Sequence, residues 1–178
     1  KKITINNSAS GSSLSNFPLL VAIEAADIDR ADTQVDGDDL RFVDPDDNTV
    51  VLDHEIEEYN ETATDYVWVR VPTVSTGTAD YIWMYYNNAG ASSGANATGV
   101  WDSNYEGVYH MNTNPAATCS GTSEVCDSTS NANHGDSRGT MTSGDLATGT
   151  VGPGIDFDGV DDAFQIPDTN NTLDVTNI

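Results

Sequence analysis

The chain has 178 residues, with 29 Asp plus Glu against 6 Lys plus Arg and a formal net charge of −23. Such a surface repels phosphate backbones and anionic headgroups, which argues against nucleic acid and against direct membrane insertion, and no run approaches the ~20 apolar residues of a spanning helix. No charged-then-apolar leader opens the chain, so any export signal is expected to have been removed already.

Asp outnumbers Glu 22 to 7 and clusters in Gly/Asn/Ser-rich turns such as Asp36–Asp39 and Asp44–Asp47. Short carboxylates in tight loops can be aimed at a hard cation such as Ca²⁺, can cap turns, or can reflect salty surroundings. Composition leaves the three readings open.

In chain order, alternation and turns dominate, and no convincing helix appears. Strands are expected at 2–5 and 17–23, separated by a small-polar loop, with one helical turn at 25–30. Segments 40–43 and 50–56 flank a Pro-Asp-Asp-Asn turn and read as a hairpin. Segments 66–71 and 81–86 are the strongest strands, rich in the β-branched and aromatic residues that suit a pleated surface. Short strands at this spacing predict a β-sandwich. Residues 87–99 (NNAGASSGANATG) lack large apolar side chains and read as a linker or long loop. Beyond them, 100–101 and 107–111 are expected as strands. A polar stretch follows over 112–154, and then strand-like pieces within 154–166.

Cys119 and Cys126 close a short polar loop without metal-site spacing. A disulfide is expected there, worth roughly 2 kcal/mol and implying an oxidising compartment. Sequons at Asn6, Asn60, Asn96 and Asn170 are compatible with exposure outside the cell.

Tyr81, Trp83 and Tyr85 share one face of a strand by period-two alternation. They can form a platform for sugar rings, or core, since Ile82, Met84 and Tyr86 opposite are apolar too. Trp101, Tyr105 and Tyr109 carry the same pair of readings. In Asp53–Glu58 the period places His54 inward with Leu52 and Ile56, and Asp53, Glu55 and Glu57 outward. A glycosidase needs two carboxylates about 5–10 Å apart in different environments, and outward acidic strand residues do not by themselves supply that. No nucleophile elbow, zinc-protease helix or phosphate loop is present, so binding is expected rather than catalysis. Asp156, Asp158, Asp161 and Asp162 crowd around a Gly turn at a density that suits Ca²⁺, without EF-hand spacing.

Six segments in order (1–5, 16–21, 36–42, 52–57, 68–72 and 82–87) resemble a bacterial domain of unknown function, family 2341, found in secreted and surface proteins. The resemblance covers roughly residues 1–95 and implies fold and location, not activity. Segments 107–112, 127–135, 154–162, Ile166-Pro167 and Leu173–Thr176 resemble the start of a laminin G-like, concanavalin A-like jelly roll. That likeness implies glycan or protein binding and calcium held by Asp156, Asp158, Asp161 and Asp162. Such a jelly roll is longer than what remains here, so the second module is expected to be incomplete, either as part of a longer protein or completed by a neighbouring subunit's strands.

The expected whole is all-β, with two consecutive β-sandwich modules at 1–95 and 100–178. The expected role is extracellular adhesion or glycan binding at a cell surface through Trp83, Tyr85, Trp101 and Tyr109, on a calcium-stabilised scaffold. The alternative is a filament subunit that self-assembles through strand edges.

Overall fold

The computed structural model describes residues 1–46, 50–60, 63–168 and 173. Among these residues it is all-β: eleven strands, one four-residue helix and two short 3-10 turns. The chain divides into two compact units, Lys1–Val100 and Trp101–Ile178.

Unit 1 contains two antiparallel sheets. The first runs β1 (Lys2–Thr4), β7 (Tyr81–Tyr85), β3 (Arg41–Val43), β4 (Val51–Leu52) in spatial order. The second runs β2 (Leu14–Ile23), β6 (Asp65–Val74), β5 (His54–Glu58). The chain passes between sheets at Asp53. Alternation explains the packing: Phe42, Leu52, Ile82 and Met84 from the first sheet, and Val21, Ile23, Val67, Val69 and Val71 from the second, form one buried cluster. The expected hairpin is real, with Phe42 opposite Leu52 and Val43 opposite Val51; residues 47–48 of its turn lie outside the described residues. β2 begins earlier than expected, at Leu14, and pairs with β6 up to Asp65 except at Asn16, whose φ is 49°. The helical turn expected at 25–30 is displaced to a 3-10 turn at Arg30–Asp32, because Asp29 caps it by accepting from Ala31 N.

His54 lies inside the core, 0% exposed, edge-on to Phe42 at 5.2 Å, and neither ring nitrogen has a hydrogen bond. Desolvation holds its pKa below the ordinary imidazole value; the Arg41 charge adds to this, while the Leu52 backbone and Asp53 oppose it. The unfolded chain therefore takes up a proton near pH ~6.5 that the folded chain refuses, so stability is full above ~6.5 and is lost as pH falls towards the depressed folded value. His54→Leu is expected to flatten this part of a melting-temperature profile taken from about pH 8 to 5, and to raise the melting point at its acid end. An unchanged slope would assign the effect to the carboxylates instead.

The alternation of β5 breaks at a bulge between Ile56 and Glu58. Glu57, at this bulge, is buried rather than solvent-facing: it accepts from Trp68 Nε1 at 2.8 Å, and Trp68 stands opposite Glu55 on the face away from the core.

The segment 87–99 is a fastened strap. Asp39 Oδ2 accepts from the backbone N–H groups of Asn87 and Asn88, and Gln34 Nε2 donates to the carbonyls of Asn88 and Ala91. Arg41 donates to Ser92 O, Asn96 N to His54 O, Asn96 Nδ2 to Asp53 Oδ1, and Arg70 to Gly99 O. Asp39 is buried; burial raises its pKa, but the bonds from the Gln34, Asn88 and Asn87 N–H groups outweigh this and set it below the usual carboxylate value. The strap ends in a helix, Ala97–Val100, where a strand was expected at 100–101.

Unit 2 has two small antiparallel ladders, β8 (Asp136–Arg138) with β11 (Ala163–Gln165), and β9 (Leu146–Thr148) with β10 (Pro153–Ile155). The strand expected at 107–111 is irregular instead, and Met111 sits at φ 58°. The piece expected at 154–162 is a strand only at its start, because Asp158 folds the backbone after it into a turn. The segment 174–176 lies outside the described residues, as do Asn170 and the last two residues of the Asn60 sequon. Cys119 and Cys126 form a disulfide, with Cα atoms 6.0 Å apart.

Candidate functional site

On β7, Ile82 and Met84 are buried, whereas Trp83 is 36% and Tyr85 55% exposed. Trp83 and Tyr85 therefore reach solvent, and the reading of β7 as core on both faces fails at these two positions. Register builds the surface. Trp83 stands opposite Lys2 and Val43, Val43 opposite Val51, Tyr85 opposite Arg41, and Tyr81 opposite Thr4. Directly opposed residues share a face, so Trp83, Val43 and Val51 make an apolar row with Tyr85 and Tyr81 on either side. Tyr81 meets Trp83 edge-on, with centroids 5.8 Å apart and planes at 86°. Lys2 Nζ lies 3.8 Å from the Tyr81 ring centroid, a cation–π contact.

Beside Tyr81 opens a groove of about 620 Å³ at one end of the unit 1 sheets. It lies in the size range of ligand sites, ~300–1,000 Å³. Ile5, Leu52 and Val71 form its floor, and Asp44, Asp46 and Asp80 stand among its walls. Asp44 Oδ1 accepts from Asp46 N at 2.8 Å, and Asp80 Oδ2 accepts from Ser75 N. The groove was not visible in the sequence, since its walls come from five separated segments.

The other two expected contact residues lie in unit 2. Trp101 is 5% exposed and packs against Tyr105 and His110, with centroids 5.2 and 5.8 Å away; its burial corrects the expectation of a surface role. Tyr109 is half-buried and donates its hydroxyl to Asn133 O at 2.8 Å. Burial, then the nearby Asp127 charge, pushes that hydroxyl up to about 12.

Of the four acidic candidates, Asp158, Asp161 and Asp162 bring one oxygen each within 4.8 Å of one another. Asp156 stands outside the group, and its backbone N–H is tied to Asp145 O. The loop is shaped by its own carboxylates. Asp158 Oδ1 accepts from Val160 N, Asp161 N and Asp162 N, and Asp162 Oδ2 accepts from Asp158 N. The Val160 bond leads in setting the Asp158 pKa below the carboxylate norm. Gly139, at φ +85°, brings its turn against this loop; a Cβ there would meet Asp161 O at 2.7 Å.

Among the comparisons with known proteins, one matches. Residues 36–123 fit the family model of a domain of unknown function, DUF2341. The match starts after the first two segments of the resemblance and runs beyond residue 95 to residue 123, into the second unit. No curated protein and no solved structure matches the chain. Among the described residues, no helix is long and apolar enough to cross a membrane.

Proposed function

We propose that the chain is an extracellular adhesion module that binds glycans through the solvent face of β7. The observation that carries this is the exposure of Trp83 and Tyr85 on a strand whose alternate residues are core. Rings that cost apolar exposure in the free protein recover it when they stack on the apolar faces of sugar rings. The disulfide, which persists in oxidising compartments, supports a location outside the cell. The incomplete lectin-like second module is part of this reading, with Asp158, Asp161 and Asp162 as its calcium seat. Each keeps carboxylate oxygen free for a cation of six to eight oxygen ligands, which backbone carbonyls and water would complete.

A glycan array read with the wild type and with Trp83→Ala/Tyr85→Ala tests both parts. Loss of two stacking contacts, each worth ~0.5–1.5 kcal/mol, is expected to weaken binding about tenfold or more while unit 1 stays folded with a modestly lowered melting temperature. Adding a chelator is expected to lower the melting temperature of unit 2. A blank array sinks the glycan reading, and melting indifferent to the chelator removes the ion.

A further inference from the structure

We infer that the acidic groove beside Tyr81 is the end of the glycan site that reads charge, and that it selects sugars carrying a free, protonated amine. This rests on the proposed glycan reading and names its ligand class. Tyr81 belongs to both surfaces: it walls the groove and touches the edge of Trp83. A chain of sugars lying along the exposed aromatics therefore has a path into the groove. There the apolar floor of Ile5, Leu52 and Val71 meets three carboxylates, and among the described residues no Lys or Arg lines the groove. Asp44 and Asp80 each spend one oxygen on a backbone N–H, which fixes their side chains and leaves the second oxygen available. Asp46 is exposed and keeps both. The ammonium of Lys2 rests on the Tyr81 ring and offsets one of these charges, so the three carboxylates leave the lining net negative. Uronic or sulfated sugars meet repulsion from these groups and from a net charge of −23. A neutral sugar finds acceptors for its hydroxyls but leaves the negative charge uncompensated, whereas an amino sugar supplies both donors and charge.

The test compares tetrasaccharides of glucosamine and of N-acetylglucosamine, which share a backbone and differ in the amine charge. Calorimetry is run on the intact chain, on Asp44→Asn/Asp46→Asn and on Trp83→Ala/Tyr85→Ala. The expected result is at least tenfold tighter binding of the glucosamine oligomer by the wild type. That preference should collapse in the Asn double variant, which keeps the shape and melting temperature, while the aromatic variant weakens both ligands. Equal affinity for the two oligomers overturns the inference and leaves the glycan reading standing. A preference unchanged in Asp44→Asn/Asp46→Asn also overturns it, assigning the effect to overall charge. Binding of neither oligomer overturns the inference together with the reading beneath it.

Discussion

Replacing Asp127 with Ala is expected to unfold unit 2 or leave it barely stable, a loss of about 4 kcal/mol. Asp127 is buried and accepts four hydrogen bonds: Val108 N and Thr129 N on Oδ1, Thr129 Oγ1 and Asn133 N on Oδ2, all at 2.8–2.9 Å. Its own N–H donates to His134 Nδ1 at 3.1 Å. Bonds to an ionised acceptor are about twice as strong as neutral ones, and removing the acceptor strands four donors at once. Unit 2 has little to offset this, since its buried apolar side chains among the described residues are Trp101, Pro115, Val125 and Met141. Asp127→Asn is expected to cost about half as much, because its amide N–H₂ faces two donors where an acceptor is needed. Hydrogen exchange resolved by segment is the measurement: residues 101–168 should lose protection while 1–100 keep theirs. Retained protection at 108, 129 and 133 would show that the carboxylate is not the anchor.

Asp65→Ala is expected to destabilise unit 1 by about 3 kcal/mol, lowering its melting temperature by more than about 10 °C. Asp65 is fully buried, forms an ion pair with Arg30 through Oδ2, and accepts from Asn60 N at 2.6 Å on Oδ1. Truncation leaves the Arg30 guanidinium, whose side chain is only 17% exposed, without its counter-charge. Arg30 also donates to Ala63 O and lies over the Tyr59 ring at 5.3 Å, so it cannot turn to solvent without giving up both contacts. The double variant Arg30→Met/Asp65→Leu should recover much of the loss, because an apolar pair has no stranded charge. A double variant as unstable as Asp65→Ala would place the cost in packing instead.

These two residues show where the sequence stops being readable. Asp127 and Asp65 look like any of the other carboxylates in polar turns. What separates them from exposed Asp36 or Asp46 is closure by residues distant in the chain, such as Arg30 for Asp65 and Val108 for Asp127. Strands were legible because β6 and β7 are dense in Val, Ile, Trp and Tyr, whose shape suits a pleated sheet. Which side of β7 faces water was not, since all five of its residues are apolar and the pattern lacks a polar phase. Inward placement of His54 followed from period two, and the same rule set Glu57 on the outer face, where its partner Trp68 stands, but gave no sign that the side chain would be covered there. Trp101 was misjudged for a related reason: an aromatic beside a presumed boundary gives no sign of whether a ring partner will cover it. The strap was read as a linker because small polar residues fasten through backbone groups, which every sequence possesses.

Under the proposed adhesive role, the strap has a mechanical consequence. Tension arriving at unit 1 through residue 100 meets the buried Val100 side chain and the Arg70–Gly99 bond first, then the two Asn96 bonds, then Arg41–Ser92, and only afterwards the Gln34 and Asp39 attachments beside β7. Anchors arranged in series yield one after another. Fully extended, the thirteen residues 87–99 reach at most about 45 Å, so release of these anchors lengthens the strap before β7 itself is pulled.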